Sequence, residues 1–408
     1  MPVRRLVTRV VAALFVVVAP AASGTRTDAN VKLTRSASAT FPGHNGSIIF
    51  QYVKGVGFGT VDPATGSYRP TTIPKRKLAP VGQPAYGPDG RTVAFVRYAR
   101  QAQGLYTMNA DGTNTRRVLP FGQSPAWSPD GSQLSFIRAL PSHPGVLWVV
   151  NADGTEARQV WRGAGAVVRS HAWTTDGGAI LFVASGRPGD VRARYVYAVR
   201  PDGREPPRVF FEALPGTFPG PVSPDGSTIV LRETGTGGIG TMSLADRSYQ
   251  RVLDQSSDPA SALLSEVVWS PDGRELGYTE VGRSPDPGSL FPRVDLFRLE
   301  LASGRTTRVG AVGAGGVDWQ PRCTQVGSAG RDRLRGTRGA DLVCGLGGND
   351  RIAGGAGNDR LFGGSGDDWI ASRDRGFDVV GCGRGRDTAL ADPGDLVGAD
   401  CESVQRGR

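Results

Sequence analysis

The chain is short of the residues that most catalytic and metal centres draw on. It has 408 residues and three histidines, His44, His143 and His171. Hydrolytic catalysis commonly rests on a histidine or a carboxylate cluster, and nothing in the sequence makes these three converge. His143 lies in a Pro-flanked loop and His171 beside Trp173, which suits surface or turn roles. No Gly-x-Ser-x-Gly nucleophile elbow occurs. There are four cysteines, Cys323, Cys344, Cys382 and Cys401, with no Cys-x-x-Cys spacing and no histidine after His171, which excludes an ordinary zinc site. One G-x-G-x-x-G match lies at 235–240, but Thr241-Met242-Ser243-Leu244 after it reads as a strand, so it is a hairpin loop and not a dinucleotide site. Beyond the first residues no apolar run is long enough to span a membrane, which needs roughly 20 residues.

What apolar run there is opens the chain. Arg4, Arg5 and Arg9 precede the stretch from Val10 to Val18, and small residues follow at Ala19-Pro20-Ala21 and Ala21-Ala22-Ser23. This is the form of a secretory signal peptide over 1–23, with cleavage near Ala22 or Gly24 and a linker over 24–44. Export makes disulfides available. Four cysteines allow three pairings; the local ones, Cys323–Cys344 and Cys382–Cys401, each close a short loop and are preferred. The net charge of +10 is uneven. Without the signal, the region before Cys323 carries about +8 and the tail about −1, counted from the same sequence. A basic surface attracts acidic partners such as an anionic cell-wall polymer, although arginine so far in excess of lysine also follows from a GC-rich genome.

Glycine, by contrast, is abundant: 59 glycines and 29 prolines describe a turn-rich, all-β chain. Two repeats organise it. The longer, of about 45 residues, turns on Tyr86-Gly87-Pro88-Asp89-Gly90, Trp127-Ser128-Pro129-Asp130-Gly131, Trp173-Thr174-Thr175-Asp176-Gly177, Val222-Ser223-Pro224-Asp225-Gly226 and Trp269-Ser270-Pro271-Asp272-Gly273. Proline presets φ, Asp bonds its own backbone and Gly accepts positive φ. An apolar strand follows each turn, as in Thr92-Val93-Ala94-Phe95-Val96. A third strand ends in an Asp-Gly hairpin such as Asp111-Gly112, and a short fourth closes the unit. Four antiparallel strands at this spacing make a propeller blade. A sixth unit starts at Asn45-Gly46 without its innermost strand, and Gly316-Val317-Asp318-Trp319 supplies it from the far end. The ring then closes with six blades and no exposed edge. Trp127, Trp173, Trp269 and Trp319 either fill inter-blade core or offer a stacking platform for sugars at the channel.

These turns resemble the TolB-like propeller with its Trp-Ser-Pro-Asp-Gly repeats, over residues 45–322. The resemblance implies that fold and a broad role in binding proteins or glycans. The second repeat, nine residues long, places aspartates at Asp332, Asp341, Asp350, Asp359 and Asp368, each followed two residues later by an aliphatic: Leu334, Val343, Ile352, Leu361 and Ile370. Its best copies begin at Gly345, Gly354 and Gly363. It matches the hemolysin-type (RTX-like) calcium-binding nonapeptide, so 323–408 is expected to be a small parallel β-roll. Calcium takes oxygen ligands in flexible geometry. The five aspartates and the loop residues Gly345, Gly347, Gly354, Gly355, Gly357, Gly363, Gly364 and Gly366 are the candidate ligand set, for two to four Ca2+ ions held between loops two repeats apart. Degenerate copies continue through Asp378 and Asp387. With one aliphatic per nine residues, the tail is expected to fold with its metal and to leave the propeller unchanged.

The whole reads as a secreted, all-β, non-catalytic calcium-binding protein, extracellular or periplasmic and monomeric. Its propeller recognises a protein or acidic glycan, with no nucleic acid and no membrane span. The alternative is a polysaccharide lyase or hydrolase acting in the propeller channel.

Overall fold

The recurring turn that ends in Gly90, Gly131, Gly177, Gly226 and Gly273 reverses the chain between an innermost strand and the strand beside it, and these five reversals generate most of the molecule. The computed structural model describes residues 44–407, apart from 52–56, 72–80, 100–101, 141–142, 164–167, 176, 188–189, 213–216, 225, 234–237, 255–262, 283–292, 313–315 and 399. The expected signal peptide, nearly all of the expected linker and half of the G-x-G-x-x-G match (235–237) lie outside the described residues. Six four-stranded antiparallel sheets form the propeller. Their innermost strands are Val81–Tyr86, Gln123–Trp127, Val168–Trp173, Thr217–Val222, Leu263–Trp269 and Val317–Arg322. The last pairs with His44–Gln51, through Ile48↔Trp319 and Phe50↔Val317, so the C-terminal strand completes the N-terminal blade. It also lies between Leu263–Trp269 and Val81–Tyr86, which closes the ring.

The tryptophans sit between blades. Trp127, Trp173, Trp269 and Trp319 are 3–5% exposed. The Trp127 indole N–H donates to the Ala85 carbonyl (3.2 Å), that of Trp173 to Ala126 (3.2 Å) and that of Trp269 to Pro221 (3.1 Å), each on the preceding innermost strand. Trp319 donates instead to Gly46 in its own sheet (3.1 Å). Each ring thus fills core and satisfies its one donor, and the sugar-stacking alternative falls away. His171 lies on an innermost strand, as its place beside Trp173 implies, but at 2% exposure it departs from the surface or turn role expected of it.

The repeated turn has a packing reason as well as a conformational one. Gly90, Gly131, Gly177, Gly226 and Gly273 all have φ between +62° and +75°, a region a side chain resists. The face of Gly131 lies against Pro88 of the blade before, that of Gly177 against Pro129, and that of Gly273 against Pro224. Where the third turn has Thr175 in place of proline, its side chain meets Gly226 in the same way. Consecutive turns therefore nest around the ring.

After residue 322 the chain becomes two parallel five-stranded sheets. One contains Gln325–Val326, Leu342–Gly347, Arg360–Ser365, Val379–Arg384 and Leu396–Val397; the other contains Arg333–Arg335, Arg351–Ala353, Trp369–Ala371, Thr388–Ala391 and Ser403–Arg406. Val343 stacks on Leu361 and Ile352 on Ile370, and these side chains, with Val380, Cys382 and Ala389, are the thin core between the sheets. Cys323 is joined to Cys344 and Cys382 to Cys401, the local pairings. The roll rests on the propeller's turn face. A Cβ on Gly177 would meet Leu396, one on Gly381 would meet the Asp130 carbonyl, and the buried Arg360 reaches the Pro129 carbonyl at 3.4 Å.

Candidate metal centre

The nonapeptide aspartates form two ladders, one on each side of the roll. The backbone N–H of Asp332 donates to Oδ1 of Asp350 (2.8 Å), that of Asp350 to Asp368 (2.8 Å) and that of Asp368 to Asp387 (2.7 Å). On the other side Asp341 donates to Asp359 (2.9 Å), Asp359 to Asp378 (2.7 Å) and Asp378 to Asp395 (3.0 Å). The grouping of Asp332, Asp350 and Asp368 opposite Asp341 and Asp359 follows from the 18-residue coil.

One carboxylate oxygen of Asp350, Asp359, Asp368, Asp378, Asp387 and Asp395 is thereby committed to the coil before it. The other, Oδ2, has no hydrogen-bond partner in Asp350, Asp359, Asp368, Asp378 or Asp387, although all five side chains are buried, at 0–3% exposure. These oxygens face their own loops. A methyl on Gly345 would stand 2.5 Å from Asp350 Oδ2 and one on Gly354 2.5 Å from Asp359 Oδ2; Gly363 bears the same relation to Asp368. Glycine at the head of the loop leaves that space clear. The residue after it adopts positive φ in Leu346 (81°), Gly355 (111°) and Gly364 (110°), as do Gly357 (126°) and Gly366 (123°) further on. Gly347 is in sheet register with Ser365 and donates its N–H to the Ser328 carbonyl.

A buried carboxylate oxygen without a donor costs free energy, and the protonation equilibria show it. Burial first, then repulsion from Asp341 and Asp374, raises the Asp359 pKa to about 6. Burial, with Asp350, Asp387 and Asp367 adding repulsion, raises Asp368 to about 6. Asp378 is raised to about 8 by burial and then by Asp395, Asp359 and Asp374. A hard cation with oxygen preference answers this donor set. Among the described residues no three acidic, histidine or cysteine side chains meet at one point, so such a cation would need loop carbonyls to complete its shell.

Sequence reading undercounted the ladder. Asp395 accepts from Asp378, and Glu402 accepts from the Asp387 N–H (2.7 Å), so the acidic stack runs nearly to the chain's end. The signal was there but out of phase: successive acids after Asp368 are ten, nine, eight and seven residues apart instead of nine throughout.

A family model described as the TolB beta propeller domain matches residues 68–284, more than half of the chain. The chain belongs to the TolB β-propeller family. A second model, the RTX calcium-binding nonapeptide repeat, matches 326–352 and 345–374 in the roll. Among solved structures, this TolB β-propeller is similar to TolB from Acinetobacter baumannii, with a TM-score of 0.52 and 16% identity. That match covers 68% of this chain and 66% of that one, just under two thirds of its length. It is similar also to the Kuenenia stuttgartiensis hydrazine synthase (TM-score 0.52, 13% identity, 69% of this chain and 47% of that). A chain of the nidogen/laminin complex has a TM-score of 0.50 at 12% identity, covering 68% of this chain and 99% of that. At these identities the likeness is one of fold. No curated protein sequence matches.

Proposed function

We propose that this TolB β-propeller is an exported recognition module whose C-terminal roll binds calcium. The carrying observation is the row of buried, donorless Oδ2 atoms on Asp350, Asp359 and Asp368, each facing a glycine at the head of its loop. These carboxylates would hold the ions together with loop carbonyls, and calcium would supply the positive charge that the buried acids lack. The nonapeptide family match supports the choice of metal. Propeller, calcium-binding repeats and paired cysteines fit an extracellular or periplasmic setting.

For the propeller the reading is binding and not catalysis, with a protein or anionic glycan as partner. The histidine on an innermost strand, His171, is enclosed between blades, and burial lowers its pKa to about 4, so it is poorly placed to exchange protons with a substrate. The test uses the full exported chain. Equilibrium dialysis should find calcium ions bound, and the immobilised protein should retain a surface component of the producing cell that an anionic cell-wall polymer competes away. A chain that takes up no calcium overturns the first half of the proposal, and turnover of a polysaccharide overturns the second.

A further inference from the structure

The first two nonapeptides differ from the five that follow, through Asp387, in what faces the aspartate. In the loop before Asp332, Oδ2 accepts the backbone N–H (2.6 Å) and the hydroxyl (2.8 Å) of Ser328. In the loop before Asp341, Oδ2 accepts the N–H (2.6 Å) and hydroxyl (2.8 Å) of Thr337, while Oδ1 accepts the Thr324 hydroxyl (3.0 Å). One coil further on, the equivalent Oδ2 of Asp350 and Asp359 is buried and has no donor. The backbone differs in step: Leu346, Gly355 and Gly364 take positive φ, whereas Ser328 and Thr337 at the same loop position do not.

We infer that calcium enters the roll only from the third nonapeptide onward, and that Ser328 and Thr337 occupy its place in the first two. This rests on the calcium reading above and sharpens it. A carboxylate that already accepts two or three donors is satisfied without metal, and an ion there would have to displace an N–H and a hydroxyl that sit closer than 3 Å. The donorless Oδ2 atoms of Asp350, Asp359 and Asp368 have nothing to displace. The first coil after the propeller is then metal-free, and the loaded coils begin with the third nonapeptide.

The experiment is radiocalcium equilibrium dialysis on the full chain, counting ions per molecule. Asp359→Asn and Asp368→Asn should each lower the count. Asp341→Asn and Thr337→Ala should keep the wild-type number. Should Asp341→Asn fail to fold, Thr337→Ala, which removes the hydroxyl and one methyl, makes the same test with Ser328→Ala, which removes the hydroxyl alone. A lowered count in either Thr337→Ala or Ser328→Ala overturns the inference while leaving calcium binding intact. A wild-type chain without calcium overturns the calcium reading, and this inference with it.

Discussion

At the scale of single residues, the repeat motif carries information about contacts as well as turns. Gly90 and Gly304 share nearly the same φ, 67° and 69°, but a Cβ on Gly90 would overlap the Pro321 carbonyl whereas one on Gly304 meets nothing within 4 Å. Gly304→Ala should therefore cost only the conformational penalty, about 1–2 kcal/mol. Gly90→Ala should cost clearly more, because it wedges the closing strand; urea unfolding of the two variants measures the difference. His171 makes no hydrogen bond of ordinary geometry, although the Ser135 backbone lies near enough to offset its burial in part. Its pKa of about 4 lies below the unfolded value of 6.5, so the unfolded chain binds the extra proton between those values. Stability from this site is complete above pH 6.5 and is lost as the pH falls toward 4, by about 3 kcal/mol in all. His171→Leu should flatten that part of the urea-midpoint curve; an unchanged curve would show that the imidazole is charged or solvated. Sequence alone left His171 at the surface because its strand alternation cannot tell a channel-facing position from one between blades.

At the scale of elements, the blades and the coils were legible for different reasons. Turn chemistry repeated five times leaves one arrangement of strands, and the missing inner strand at one end matched the spare one at the other. The roll was legible where its nine-residue phase is strict and faded where the phase slips. The coil from Arg360 to Val379 spans 19 residues and that from Thr388 to Ser403 fewer, yet the strands still pair in parallel. Parallel stacking tolerates a longer or shorter loop so long as an acid returns to accept the N–H of the coil before it, as Asp395 and Glu402 do. The raised carboxylates of this stack set a pH dependence for the metal-free roll. Asp359, Asp368 and Asp378 hold their protons up to about pH 6, 6 and 8, whereas in the unfolded chain each ionises near 4. Stability is therefore present below about pH 4 and is lost as the pH rises through 6 to 8. In chelator the roll should melt at a higher temperature at pH 5 than at pH 8, and calcium should restore it at pH 8. Emission from Trp369, which is 40% exposed beside Asp368, reports the transition. Equal melting at both pH values would mean that the acids are already compensated without metal.

At the scale of the whole molecule, the roll is joined to the propeller by more than the chain. The sequence reading treated the tail as a unit that folds without consequence for the propeller, since nothing in a nonapeptide marks an outward residue as a contact. The structure buries Arg360, the residue directly after Asp359, against the Pro129 carbonyl and near Asp130 in the second turn of the propeller. Burial lowers its pKa to about 9, and the Asp130 carboxylate opposes that shift. A charged group withdrawn from water in this way needs its partners, so the position of the Asp359 loop and the docking of the roll are linked. Calcium that orders the Asp359 loop should then stabilise the propeller turn as well, and calorimetry of the full chain should show both unfolding transitions rising with calcium. Arg360→Met keeps the aliphatic stem and removes the charge. It should cost about 1.5–3 kcal/mol, the range for a lost hydrogen bond to a charged group, and it should leave calcium acting on the roll's transition alone. A wild-type propeller transition that ignores calcium would show that the two parts touch without exchanging stability.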